Sequence, residues 1–289
     1  MKRLVCSWLV SGALSLGLGS VTVAAPVAVG ASETDVVYGE AGGTQLKLDV
    51  YRPAGTVVGK HVGIVLIHGG GWSSYDKSTM DAMGCWLVRN GYVAFSIDYR
   101  LLNGTKNQWP AQLDDAQLAV RWVRANAKTY DIDPGKIGAF GHSAGAQMVS
   151  LLGEEDTRDK TAALAEYSSK VQAVVDVSGP SDFPSWAGSD GESLLSRLLG
   201  GTKKEKPEAW KSASPALNVT KDTAPFLILH GTKDEDVPIA QAEEFAAALM
   251  KVGVDATLET VDDGHAFTSE AARRLLAFAT VAFFDRTLR

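Results

Sequence analysis

The five residues Gly141-His142-Ser143-Ala144-Gly145 set a hydroxyl between two glycines, directly after the apolar run Ile137-Gly138-Ala139-Phe140. That run reads as a strand, and the small residues after the serine read as the opening of a helix. Glycines at such a junction let the chain turn sharply and lift a serine hydroxyl clear of a sheet. The chemistry this suggests is nucleophilic attack on a carbonyl carbon. A serine hydroxyl is a weak nucleophile at neutral pH, so it needs a base, and the base needs an acid to orient it.

The chain has five histidines, few enough to weigh individually. His61 precedes a strand with no motif around it, and His68 opens the run His68-Gly69-Gly70-Gly71-Trp72, where it reads as a brace for the loop. His142 adjoins Ser143 and must project differently from the turn. His230 closes a strand, where packing or a local hydrogen bond is expected. His265 lies in Asp263-Gly264-His265-Ala266-Phe267, between the last strand and the final helix, which suits a base in the chain order Ser…Asp…His. The acid belongs in the loop after the preceding strand, Gly231-Thr232-Lys233-Asp234-Glu235-Asp236. Asp234 is the expected acid, Asp236 the reserve, and Glu235 should face away.

Val65-Leu66-Ile67 runs into Gly69-Gly70-Gly71, whose backbone N–H groups can approach a ligand with no side chain in the way. Together with the Ala144 N–H they would stabilise negative charge developing on a carbonyl oxygen. The loop lacks the Gly-Lys-[Ser/Thr] ending of a nucleotide-binding loop. No His, Cys or Glu spacing suggests a metal site, and no cofactor is expected. Trp72 beside this loop is a candidate substrate-binding wall; the alternative is packing beneath it.

These groups need a scaffold. Apolar β-rich runs at 35–38, 46–51, 62–68, 92–98, 136–141, 171–177, 225–230 and 256–261 alternate with helical patterns at 78–90, 110–129, 143–153, 239–252 and 268–288. The runs Gly63-Ile64-Val65-Leu66-Ile67 and Phe226-Leu227-Ile228-Leu229 are apolar throughout, as in a parallel sheet covered on both faces. The expectation is an α/β fold with a mostly parallel eight-stranded sheet, opened by an antiparallel hairpin. Residues 178–223 interrupt the rhythm with a short Leu-rich helix near 192–199 and a Lys-rich stretch, and read as a partial lid or wall over the site.

Lys2 and Arg3 precede an uncharged stretch that is apolar to Leu18 and ends in small residues, a pattern that reads as a secretory signal peptide over 1–31. Cleavage after Ala31 is preferred to cleavage after Ala25, which would leave Pro26 first; an uncleaved anchor is the alternative. The catalytic domain would be 32–289, exported to the periplasm or secreted, with no stable membrane insertion. Loss of Lys2 and Arg3 moves the formal charge from −6 to −8, which gives no electrostatic reason to bind nucleic acid. Cys6 leaves with the signal, so no disulfide is available, and Cys85 in an apolar helical stretch reads as a core residue.

Taken together, the sequence resembles the α/β-hydrolase superfamily, in the esterase and lipase branch that carries His-Gly-Gly-Gly. The likeness extends to Asp98-Tyr99-Arg100, Trp109-Pro110-Ala111-Gln112, Asp131-Ile132-Asp133-Pro134-Gly135-Lys136-Ile137 and Ser178-Gly179-Pro180-Ser181-Asp182. It is nearest to small secreted carbohydrate-esterase-like members, including acetylxylan and feruloyl esterases. The resemblance implies a serine esterase with Ser143, Asp234 and His265 as triad and Gly70, Gly71 and Ala144 as oxyanion donors. The substrate would be a small-molecule or carbohydrate ester. No large cap domain is expected, since the segment before the strand at Val62 reads as a hairpin rather than as helices. Arylformamidase-like or peptidase-like amide hydrolysis is the alternative chemistry, and a non-catalytic binding protein on the same fold the alternative class.

Overall fold

The computed structural model describes residues 30–53, 60–156, 162–186 and 189–289. Apart from Gly30 and Ala31, the signal segment lies outside the described residues.

Eight strands form one sheet in the order β1-β2-β4-β3-β5-β6-β7-β8. β1 (Glu33–Ala41) and β2 (Thr44–Tyr51) make an antiparallel hairpin, and β2 joins β4 (Val93–Ile97) antiparallel. From β4 onward the pairings are parallel, through β3 (His61–Ile67), β5 (Ile132–His142), β6 (Ala173–Val177), β7 (Phe226–Gly231) and β8 (Ala256–Val261).

The continuous apolar strands have a simple explanation. Successive side chains point to opposite faces, so a strand covered on both sides must be apolar at every position. Val65 and Ile67 enter one core cluster while Ile64 and Leu66 enter the other; Phe226 and Ile228 separate from Leu227 and Leu229 in the same way. The first cluster is capped by α2 (Ala111–Ala125), α3 (Ala144–Glu154) and α6 (Ala240–Lys251). The second lies under α1 (Asp81–Arg89) and α7 (Glu270–Leu288), and buried Cys85 is part of it. Between β6 and β7 the chain forms α4 (Ser189–Leu199) and the one-and-a-half-turn α5 (Pro207–Ser212). The fold is that of the α/β-hydrolases, with the expected N-terminal hairpin.

Two features depart from the sequence reading. β5 begins at Ile132 rather than at the onset of the apolar run, because the polar stretch before Ile137 already pairs once with β3 at His61 before a register shift. α5 was not expected at all. Its pattern is too short for periodicity, and it is held by Trp210, which is 1% exposed and donates from its indole N–H to the Gly201 carbonyl at 3.0 Å. Among the described residues no helix is long and apolar enough to cross a membrane.

Candidate active site

Ser143 sits between the end of β5 and the first residue of α3, with φ 55° and ψ −121°. Such a backbone costs a non-glycine residue of order 1–3 kcal/mol and persists only where its surroundings over-determine it. Here they do. The Ser143 N–H donates to the Val177 carbonyl of β6 at 2.8 Å, and its carbonyl accepts from the Gln147 N–H at 3.2 Å. On the other side, a Cβ on Gly145 would collide with the Ile67 carbonyl of β3, so only glycine lets the helix start this close to the sheet. Ala144 opens α3 and belongs to the turn whose N–H groups find no acceptor within the helix.

The glycine loop after β3 lies against this turn. A Cβ on Gly69 would stand 2.9 Å from the His142 carbonyl and 3.0 Å from Ser143 Cβ. Tyr99 braces the loop from behind, its hydroxyl 3.1 Å from the His68 carbonyl and its ring stacked on His68 at 4.3 Å. His68 is buried, its Nδ1 2.7 Å from the Gly69 carbonyl, as its bracing role predicts. Neither the Gly70 nor the Gly71 N–H has an acceptor among the described residues. Trp72 is packed beneath the loop at 1% exposure, donating to Gln147 Oε1 at 3.1 Å and lying edge-on to Phe183. It still presents part of its surface to the cavity.

His265 arrives on the loop between β8 and α7. Its Nδ1 is 2.7 Å from Asp234 Oδ2, so Nδ1 carries the proton toward the carboxylate and Nε2 keeps its lone pair. Asp234 has no side-chain exposure. Its Oδ1 accepts the Asp236 and Val237 N–H groups at 3.0 and 2.8 Å. Burial pulls the Asp234 carboxyl upward in pKa, but hydrogen bonds from His230, His265 and the Val237 N–H outweigh it and hold the group well below the usual carboxylate range. The exposed Asp236 and Glu235 make no ion pair with His265.

Two further histidines support this loop, His142 projecting away from the turn and His230 buried with local bonds, as the sequence reading expects. His142 places Nε2 2.9 Å from the His265 carbonyl, with the two rings 5.0 Å apart. A carbonyl only accepts, so Nε2 is protonated, and burial holds the ring's pKa below the ordinary value. His230, fully buried at the end of β7, has Nε2 2.9 Å from the Val237 carbonyl and 3.3 Å from Asp234 Oδ2. The Asp234 carboxylate therefore touches two imidazoles, and nothing in the spacing of the chain announces the second.

Asp234, Asp236 and His265 bring ligand-type atoms within 4.8 Å of one another. The donor set is already spent, since both Asp234 oxygens accept hydrogen bonds and His265 Nδ1 faces one of them. Ser143, His265, the three glycines and Trp72 all line one cavity of ≈ 1180 Å³. Pro180, Trp186 and Leu194, from the segment between β6 and β7, close part of its wall. The Ser143 hydroxyl makes no hydrogen bond among the described residues.

The BD-FAE family model matches residues 48–249. The chain belongs to the BD-FAE family. Among curated relatives of this BD-FAE protein, esterase LipQ of Mycobacterium tuberculosis is 31% identical over 255 residues, 84% of this chain and 59% of LipQ. Esterase LipC of the same organism is 30% identical over 229 residues, 76% of this chain and 56% of LipC. The chain thus spans a little over half the length of these relatives. Among solved structures, a truncated carbohydrate esterase from gut microbiota superposes with a TM-score of 0.75 at 27% identity, covering 88% of this chain and 95% of that one. A butyrate-bound esterase of Thermogutta terrifontis gives a TM-score of 0.74 at 27% identity, covering 87% and 90%.

Proposed function

We propose that the protein is an exported serine carboxylic ester hydrolase that works through an acyl-enzyme intermediate, on short acyl or carbohydrate-linked esters. The observation that carries this reading is the 2.7 Å bond between His265 Nδ1 and Asp234 Oδ2, made at the edge of the cavity that Ser143 enters. His265 Nε2 takes the Ser143 proton as Oγ bonds to the ester carbonyl carbon. The carbonyl oxygen becomes an oxyanion received by the N–H groups of Gly70, Gly71 and Ala144. The tetrahedral adduct collapses, the alcohol leaves with the proton held on His265, and water repeats the sequence to release the acid. Asp234 stays ionised throughout and stabilises the imidazolium.

The esterase relatives support the reaction class, and two of the similar solved structures support the substrate class: a carbohydrate esterase and an esterase holding butyrate. The 178–223 segment serves as a partial wall of the site, and the catalytic domain runs over 32–289 after removal of the leader. The test is labelling by a fluorophosphonate probe. Labelling is expected in the wild type and lost in Ser143→Ala; a folded wild-type protein that takes no label overturns the reading. A panel from acetyl to decanoyl p-nitrophenyl esters, with acetylated xylan, then tests the substrate. Rates rising steadily with chain length contradict a short-acyl preference.

A further inference from the structure

Tyr75 is the one exposed tyrosine among the described residues. Tyr38, Tyr51, Tyr92, Tyr99 and Tyr130 each spend their hydroxyl on a partner inside the protein. The Tyr75 hydroxyl has none among the described residues, and the residue is 68% exposed. Its backbone lies at φ 69°, a region that suits glycine and costs a bulky side chain. An aromatic ring left in water on a strained backbone is a double liability for folding, and such strain is found where function holds it in place.

The ring nonetheless lies against the glycine loop. It packs on Gly70 so closely that a Cβ there would stand 2.7 Å from Tyr75 Cδ2, and Gly70 itself has φ 108°. Tyr75 also lines the cavity that contains Ser143 and His265. A flat apolar surface is thereby presented to solvent at the edge of the glycine loop, beside the position where an ester would bind. An aromatic face of this kind complements the C–H face of a pyranose, whose hydroxyls point outward to its rim and stay hydrated. The exposed Asp236 and the exposed Glu270–Arg274 ion pair line the same cavity, and their remaining hydrogen-bonding capacity faces those hydroxyls.

We infer that Tyr75 is the specificity-determining platform on which the sugar ring of a carbohydrate ester stacks. This rests on the esterase reading above, and the experiment separates the two. The readout is the ratio of kcat/KM on acetylated xylotetraose to that on p-nitrophenyl acetate. In Tyr75→Gly this ratio is expected to fall by about ten-fold or more, mainly through KM on the sugar ester. Tyr75→Phe and Tyr75→Trp should keep it. Because glycine relieves the backbone, the thermal midpoint of Tyr75→Gly should not drop, which removes misfolding as an explanation. In parallel, unesterified xylotetraose should bind Ser143→Ala in calorimetry, and binding should weaken by about the same factor when Tyr75→Gly is added.

An unchanged ratio, no binding of xylotetraose, or a loss confined to methyl ferulate each overturns the platform. If xylotetraose binds through Tyr75 but no ester is cleaved, the platform stands and the esterase reading falls. If p-nitrophenyl acetate is cleaved and xylotetraose does not bind, the reverse holds.

Discussion

His142 Nε2 donates to the backbone carbonyl of His265 across 2.9 Å, so the residue before Ser143 holds the loop that carries His265. With that nitrogen engaged, His142 is expected to act on the geometry of the proposed triad and to take no part in proton transfer. Its substitution should loosen the base loop while leaving Asp234 bonded to His265. His142→Phe, which keeps the ring volume and loses the donor, is expected to lower kcat on p-nitrophenyl acetate by about ten-fold with little change in KM. Steady-state kinetics beside a circular dichroism melt would check it. An equal rise in KM would instead assign His142 to substrate binding.

Asp234 and Asp236 stand two residues apart, yet only the first is bonded to His265. Asp234→Asn should reduce kcat by about 10⁴, because an amide favours the wrong imidazole tautomer. Asp236→Asn keeps its backbone N–H bond to Asp234 and should stay within about three-fold of wild type on p-nitrophenyl acetate, a loss of well under 1 kcal/mol in transition-state binding. If the two variants exchange these outcomes, the acid is misassigned.

Acid stability should depend on Asp263, which sits at the base of the histidine loop. Its carboxylate accepts the Ser269 N–H at 2.7 Å and the Gly264 N–H at 2.8 Å. Hydrogen bonds from Ser269, chiefly, with Gly264 and Thr268, hold its pKa well below the ordinary value. A depressed folded-state value means the stabilisation is fully present above the unfolded pKa of about 4 and is lost as pH falls through the folded one. Asp263→Asn should therefore be less stable than wild type at pH 7, and the gap should narrow steadily below about pH 4. Urea midpoints between neutral and strongly acidic pH test this; a gap that stays constant would contradict the linkage.

The three positions proposed as a triad could be picked from the sequence because Ser143, Asp234 and His265 each follow a strand, and strands covered on both faces leave apolar runs that are hard to miss. What escaped was set by contacts between distant segments. The link from His230 to Asp234 needs the β7 end and the acid loop to fold back together, and no spacing rule marks it. α5 is shorter than two helical turns and is recognised only through the burial of Trp210. Trp72 and Tyr75 show the same limit at close range. Both are aromatics after the glycine loop with nearly the same left-handed φ, 56° and 69°, yet packing puts one under the loop and leaves the other out in water.

The elbow at Ser143 is clamped from both sides, by the Val177 carbonyl of β6 and by the approach of Gly145 to β3. Its neighbours are the central strands of the sheet, so Ser143 is held by the sheet itself. Heat should then extinguish catalysis in one cooperative step, with tryptophan emission and residual activity following the same curve. Partial loss of activity well below that transition would place the weak point in the β8–α7 loop, where the base is held by hydrogen bonds to Asp234 and His142 instead of by the sheet.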